Sequence, residues 1–195
     1  PACSPPRRWR LRRPAAAAAA AVEATTGADL DVDVGIVGAG PAGSIMAYLL
    51  AHRYNLTVHM FDPQADRPWP NNYGVWLAEW EAVEGLLGLP LSECLDATWE
   101  YTDLFLGGSH GVPLDERTRC ERPYGRVDRT KMRAVVSEGL AAAGVGRTAE
   151  AVDASSVVHD GKGTTLRTTG GKSVRVRTLV DCSGHESKLV EREGP

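Results

Sequence analysis

An α/β fold is predicted by three features of this sequence: a glycine turn, GAGPAG, set between an apolar strand and a helix, an acid closing a second strand, and a final third that alternates with period two. Together they describe an open, mainly parallel sheet covered by helices and continued by an antiparallel β-meander.

The elements follow in order. Folding signals begin at DVDVGIVGAGPAG, residues 31–43, where Val32, Val34, Ile36 and Val37 make a short strand of the buried parallel type. A helix comes next, with Pro41 in its first turn, where a missing N–H is no loss, and residues 45–50 as its apolar body ending near Asn55. Leu56, Val58 and Met60 then alternate with Thr57 and His59 as a second strand that stops at Asp62 and Pro63. Residues 63–74 are turn-rich, and Trp76, Trp80, Val83 and Leu87 fall on one face of a helix stopping at Gly88. A strand is expected over 101–106 and a long polar loop over 107–121. The string RPYGRVDR leads into a second amphipathic helix with Met132, Val135, Val136 and Leu140 inward, ending at Gly144. Three strands follow at 151–158, 164–168 and 173–180, separated by the hairpin signals DGKG and TGGK. The last, VRVRTLVDCSG, runs on to rejoin the parallel sheet.

Composition narrows the function classes. The chain has 195 residues, 43% of them hydrophobic, enough for one ordinary domain or part of a larger one. Residues 1–28 hold Arg7, Arg8, Arg10, Arg12 and Arg13 against the single acid Glu23; subtracting these from totals of 22 and 25 leaves 17 basic and 24 acidic residues, near −7. That balance argues against a nucleic-acid surface, which needs clustered cations to displace counterions. Cys3, Cys94, Cys120 and Cys182 are scattered, without a CxxC pair or a histidine at zinc-ligand spacing, so neither a metal site nor a disulfide framework is indicated. The longest apolar run, residues 15–22, is far short of the roughly 20 residues that span a bilayer. The leader, residues 1–28, is arginine-rich and almost free of acid, the composition of an organelle transit peptide, although serine is scarce. The expected division is therefore a leader over 1–28 and a folded part over 29–195. Residue 1 is proline, and the amino terminus of the protein is expected upstream.

GAGPAG supplies GxGxxG spacing at Gly38, Gly40 and Gly43, with Pro41 and Ala42 between the last two. The first glycine permits the tight turn, the second lets backbone N–H groups approach a pyrophosphate, and the third allows the helix to pack on the strand. Asp62 lies 19 residues beyond Gly43, where a carboxylate can accept hydrogen bonds from ribose hydroxyls. The departure from an uninterrupted doubly wound pattern, and the return through a meander to DCSG, suit a flavoprotein; Asp181 would sit at a strand end and Gly184 would allow close backbone contact with the ligand. DCSG alone is equally an ordinary exit from a strand. Cys182 reads as a small core residue. Arg122, Arg126 and Arg129 are spaced four and three apart. They form either a solvated edge or phosphate contacts, Arg129 being the best placed, where a helix begins.

In WPNNYGVW, residues 69–76, Pro70, Asn71, Asn72 and Gly74 are turn formers. Trp69, Tyr73 and Trp76 are either core or aromatic faces for a ligand, since such faces stabilise cations and stack on planar groups.

WPNNYGVW, CLDATW (94–99), RPYGRVDR (122–129), GAGPAG and the DCSG exit together resemble the plastid and cyanobacterial lycopene cyclase family, most closely its β-cyclases, from about Val34 to Pro195. The resemblance implies an incomplete FAD/NAD(P)-binding Rossmann-like domain, three-layered, of the glutathione-reductase/hydroxylase type. It implies a plastid, membrane-associated flavoprotein that closes the ends of lycopene into β-ionone rings in carotenoid biosynthesis, an isomerisation without net electron transfer. FAD would act reduced, with NAD(P)H as reductant. Protonation of a terminal double bond creates a carbocation, the neighbouring double bond attacks it, and a ring proton is lost, so the site needs an acid, a base and charge or π-faces for the cation. The loop with Trp69, Asn71, Asn72, Tyr73 and Trp76 is then expected at the meeting place of flavin and polyene. Where the family commonly has Asp-Ala-Thr-Gly, this chain has Asp181-Cys182-Ser183-Gly184. Family members continue well beyond Pro195, so the catalytic acid, the rest of the flavin site and the membrane-facing region are expected outside these residues. Four alternatives stay open: a nucleotide-binding module without catalysis, a flavin-dependent hydroxylase or polyprenyl reductase, an ε-cyclase, and a synthase of the neoxanthin or capsanthin type.

Overall fold

The computed structural model describes residues 9–11, 28–104, 117–185 and 187–192. In chain order these form β1 (Trp9–Leu11), β2 (Leu30–Val37), α1 (Pro41–Tyr54), β3 (Val58–Phe61), β4 (Tyr73–Trp76) and α2 (Leu77–Leu87). A 3-10 turn (Ser92–Cys94), β5 (Leu95–Trp99), β6 (Thr102–Leu104), β7 (Thr118–Cys120), β8 (Tyr124–Val127) and α3 (Arg129–Ala142) follow. The chain closes with β9 (Gly146–Thr148), β10 (Val152–Asp160), β11 (Gly163–Thr168), β12 (Ser173–Asp181) and β13 (Val190–Arg192). Two compact units result, Pro1–Arg67 with Ala143–Pro195, and Pro68–Ala142.

The first unit is built on a six-stranded sheet ordered β10-β11-β12-β2-β3-β9. β2 lies parallel to β12 on one side, with Val34 opposite Thr178, and to β3 on the other, with Ile36 opposite Met60. β9 extends the parallel part beyond β3. β10, β11 and β12 form the antiparallel meander, so β12 belongs to both halves, as its uninterrupted nine-residue run requires. Alternation places Leu166, Val174 and Val176 on one covered face with Phe61, all fully buried, and Leu30, Val32, Val152, Val157 and Leu179 pack against them. Burial of side chains of this size contributes roughly 1.5–3 kcal/mol each relative to exposure. At the far end of the meander Arg175 reaches Asp160 with two guanidinium hydrogen bonds of 2.8 Å, which holds that carboxyl down at about 2 from the ordinary 3.8. α1 ends at Asn55, whose left-handed φ of 52° closes the helix as a C-cap.

Within the expected leader, Trp9–Leu11 pair antiparallel with Val190–Arg192. The remaining leader residues up to Gly27 lie outside the described residues.

The second unit differs from the sequence expectation. β4, β8 and β5 make an antiparallel sheet in that order, none of whose strands was anticipated. Trp76 ends β4 and forms the N-cap of α2 rather than lying on the helical face; Trp80 and Leu87 are buried there as expected. Gly88, at φ 68°, stops α2, its amide donating to the Glu84 carbonyl at 2.8 Å. The expected strand at 101–106 is observed as β6, and its partner β7 occupies part of the stretch read as loop; residues 105–116 lie outside the described residues. Each missed strand is only three to five residues long, too short for period-two alternation to emerge from a single sequence. α3 buries Met132, Val136, Gly139 and Leu140, and its N-cap is Asp128, whose Oδ1 accepts from the amides of Thr130 at 2.9 Å and Lys131 at 3.1 Å.

Candidate functional site

The glycine turn leaves β2 at Val37. Gly38 has φ +104°, a conformation L side chains rarely adopt, and a Cβ there would lie 2.4 Å from the Cys182 carbonyl oxygen. A Cβ on Gly43 would lie 2.2 Å from the Gly38 carbonyl oxygen. Both glycines are therefore demanded by the protein's own packing. Gly40 is not: its φ is −69°, and a Cβ there meets no atom within 4 Å. Gly40 is also the N-cap of α1, which has no side-chain cap, no acid in its first turn and Pro41 at the start. A bare, uncapped helix N-terminus with positive partial charge fits an anionic diphosphate lying over the Gly40 to Gly43 backbone. Pro41 is half-buried and Ala42 exposed in that first turn, while Gly43 is buried.

Asp62 follows β3, where parallel pairing brings it beside this turn. Its Oδ2 accepts from the Ala39 amide at 2.7 Å, its Oδ1 accepts from the Gln64 amide at 2.7 Å, and its own amide donates to the Thr148 carbonyl at 3.1 Å. Each carboxylate oxygen has a further lone pair, so these bonds leave acceptor capacity for ribose hydroxyls. Val37, Gly38, Phe61, Asp62, Gln64 and Val152 line an open cleft of about 450 Å³, with Ser183, Lys188 and Leu189 also on its wall.

Asp181 ends β12 beside Val37. Its carboxylate is engaged within its own segment: Oδ1 accepts from the Ser183 amide at 3.0 Å and the Ser183 hydroxyl at 2.6 Å, and Oδ2 accepts from Ser187. Gly184 has φ +88° and open space around a would-be Cβ. Burial, reinforced by the Asp181 charge, pushes the Cys182 thiol up, which suppresses thiolate chemistry at neutral pH.

In the second unit Arg129 Nη1 donates to the Pro70 carbonyl at 2.7 Å and the Asn71 carbonyl at 3.2 Å, with Asn72 Oδ1 at 3.5 Å. Arg129 thus holds the loop carrying the two asparagines. Trp69 is buried and meets Tyr73 edge to face at 6.2 Å. Burial raises the Tyr73 phenol, against a smaller lowering by the Arg129 charge. Trp76 is half-buried, edge-on to Tyr124 at 5.0 Å, with the Arg122 guanidinium 4.5 Å above its ring. Arg122 pairs with Glu79 and Arg126 with Asp96, which makes these two members of the arginine series surface ion pairs. Asn71 and Asn72 are exposed.

The hydrogen bonds of the Ala39 amide, the Gln64 amide and Ser187, and the place of Lys188 on the cleft wall, escaped the sequence. The Asp181-x-Ser183 pattern of a side-chain turn was the one local signal; the others depend on contacts between distant segments. Among the described residues no group of three His, Cys, Asp or Glu side chains could hold a metal ion, and no helix is long and apolar enough to cross a membrane.

Comparison with known proteins joins these features to a family. The family model described as "Lycopene cyclase protein" matches residues 33–194. The chain is 33% identical to lycopene beta cyclase, chloroplastic, of Arabidopsis thaliana and 34% identical to capsanthin/capsorubin synthase, chromoplastic, of Citrus sinensis, each over 164 residues. Each match covers 84% of this chain and 30% of the relative's length. Among solved structures, the myxobacterial chondrochloren halogenase CndH, described as a variant of FAD-dependent halogenases, superposes with a TM-score of 0.59 at 19% identity, covering 82% of this chain and 38% of that one. This likeness shows a shared Rossmann-like fold. By the extent of the family match, the chain belongs to the lycopene cyclase family.

Proposed function

We propose that the protein is a lycopene β-cyclase that closes the ends of lycopene into β-ionone rings with FAD as cofactor, and that residues 29–195 form the N-terminal part of its FAD-binding domain. Gly38, Gly40, Pro41, Ala42 and Gly43 would hold the diphosphate, Asp62 the ribose, and Asp181 and Gly184 would shape the approach toward the flavin side. Trp69, Asn71, Asn72, Tyr73 and Trp76, with Arg129 fixing their loop, would serve as ligand contacts toward flavin or polyene. FAD, when bound and kept reduced by NAD(P)H, supplies negative charge that favours a carbocation. The catalytic acid and the membrane attachment lie, in this reading, in the part of the relatives that the chain does not match. The leader is proposed as a plastid transit peptide, in keeping with relatives named as chloroplastic and chromoplastic.

The observation that carries the reading is Gly40: in a chain of this family, a turn glycine that no protein atom requires stands at an uncapped helix N-terminus. Expression of the complete reading frame in lycopene-accumulating bacteria tests it. Conversion of the pigment to β-carotene is expected. Formation of δ- or ε-carotene would move the protein to the ε-cyclases, and a colourless purified protein that takes up no FAD would end the flavin assignment.

A second reading is supported by the 34% identity to capsanthin/capsorubin synthase, which equals the β-cyclase match within one point. Supplying an epoxy-carotenoid to the same cells separates the two, since rearrangement of that pigment without cyclisation of lycopene favours the second.

A further inference from the structure

The cleft that holds Gly38 and Asp62 is lined in part by the segment after β12, through Ser183, Lys188 and Leu189. Asp181 organises this segment. It receives the Ser183 amide and hydroxyl on Oδ1 and the Ser187 hydroxyl on Oδ2. Ser187 Oγ in turn accepts from the Leu189 amide at 3.1 Å. The chain is thus tied through the Ser187 hydroxyl before Lys188 and the Leu189 amide after it, while the Lys188 side chain is exposed and lines the cleft.

Electrostatics gives that placement a consequence. A diphosphate brings two negative charges to a cleft that already contains the Asp62 carboxylate. The N-terminus of α1 offsets about half a charge, and the turn itself, GAGPAGS, contains no cation. Among the described residues lining the cleft, Lys188 is the one cation. Arg119, Arg122, Arg126, Arg175 and Arg177 are each paired with a carboxylate, and Lys188 takes part in none of those pairs.

We propose that Lys188 is a binding residue for the diphosphate of the dinucleotide, presented to the cleft by the hydrogen bonds that join Asp181, Ser187 and Leu189. This rests on reading the glycine turn as a dinucleotide site. A mobile ammonium suits the role, because it neutralises a phosphate as a point charge without requiring a fixed fork geometry.

The experiment is titration of the full-length protein with FAD and with ADP, followed by calorimetry at low and moderate salt. Lys188→Glu should weaken both ligands about tenfold, Lys188→Arg should bind as the wild type does, and Lys188→Ala should show a shallower dependence of affinity on salt. Ser187→Ala should weaken binding with the salt dependence partly lost, and Ser187→Thr should restore both. Affinities of Lys188→Glu within twofold of wild type would overturn the proposal. So would weakening by Lys188→Ala with an unchanged salt dependence, which marks a structural role. Wild-type protein that binds neither FAD nor ADP is a distinct outcome, and it removes the dinucleotide reading beneath the proposal.

Discussion

The Ala39 amide donates to Asp62 Oδ2 at 2.7 Å, so the residue expected to hold a ribose also braces the turn that would receive the diphosphate. If Asp62 holds the ribose as proposed, binding and folding are coupled at this carboxylate. Asp62→Ala removes the acceptor of the Ala39 amide and of the Gln64 amide. The loss of unfolding free energy should be on the order of 1–3 kcal/mol in urea titrations made without any cofactor. Asp62→Asn, which keeps one carbonyl oxygen, should lose less. A carboxylate serving the ribose alone would leave both variants as stable as the parent.

The three turn glycines should separate by phenotype. Gly38→Ala combines a positive φ with a 2.4 Å approach to the Cys182 carbonyl, and Gly43→Ala drives a methyl into the Gly38 carbonyl. Each should lower stability by roughly 2–3 kcal/mol or abolish soluble expression. Gly40→Ala should still fold, with only the small loss expected of a poorer N-cap, and lose flavin, because its methyl occupies only the space above the helix N-terminus. Thermal unfolding beside flavin absorbance in one preparation distinguishes these outcomes.

Arg129 is predicted to order the asparagine loop. Arg129→Ala frees the Pro70 and Asn71 carbonyls and should raise hydrogen exchange over residues 70–73 while leaving α3 protected, since Asp128 still caps it. The cation that opposes the burial effect on Tyr73 is lost as well, so the phenol should titrate higher still in phenolate absorbance. Arg129→Lys should restore part of the protection, because all three contacts come from the single Nη1 and an ammonium also carries several donors, while reaching the loop carbonyls on a shorter side chain.

Stability should fall on the acid side of neutrality through His59. Burial lowers its pKa below the ordinary 6.5, with a further push from the Lys172 charge. The unfolded chain therefore binds more protons than the fold below 6.5, so stability is fully present above that pH and is lost as pH falls toward the depressed value. His59 Nε2 lies 2.8 Å from Thr148 Oγ1, and its ring packs on Phe61. Urea midpoints of wild type and His59→Gln across this range should converge as the pH drops, with the variant the flatter of the two.

Much of the first unit was legible in the chain. β2, α1, β3 and the meander are long or bounded by strong turn signals, and β12 announced both of its pairings through a nine-residue alternation. The second unit was not. YGVW, LDATW and YGRV become strands by pairing with one another, as Trp76 does with Tyr124 and Tyr124 with Trp99, and no local pattern encodes such partners. Trp76 was misplaced on α2 for that reason: a tryptophan four residues before Trp80 looks helical until a strand partner claims it.

Chemical identity was local. Glycine spacing, an acid at a strand end and three unusual strings needed only adjacency along the chain, and they were enough to name the family. Tertiary structure decided how each of those residues is used. It showed that two glycines answer to the protein's packing and one does not, that Asp62 and Asp181 spend hydrogen bonds on their own backbone, and that Arg129 grips a loop 57 to 59 residues away in sequence. Such assignments depend on which donors and acceptors meet through space, a property that parallel pairing and packing create and that composition does not contain.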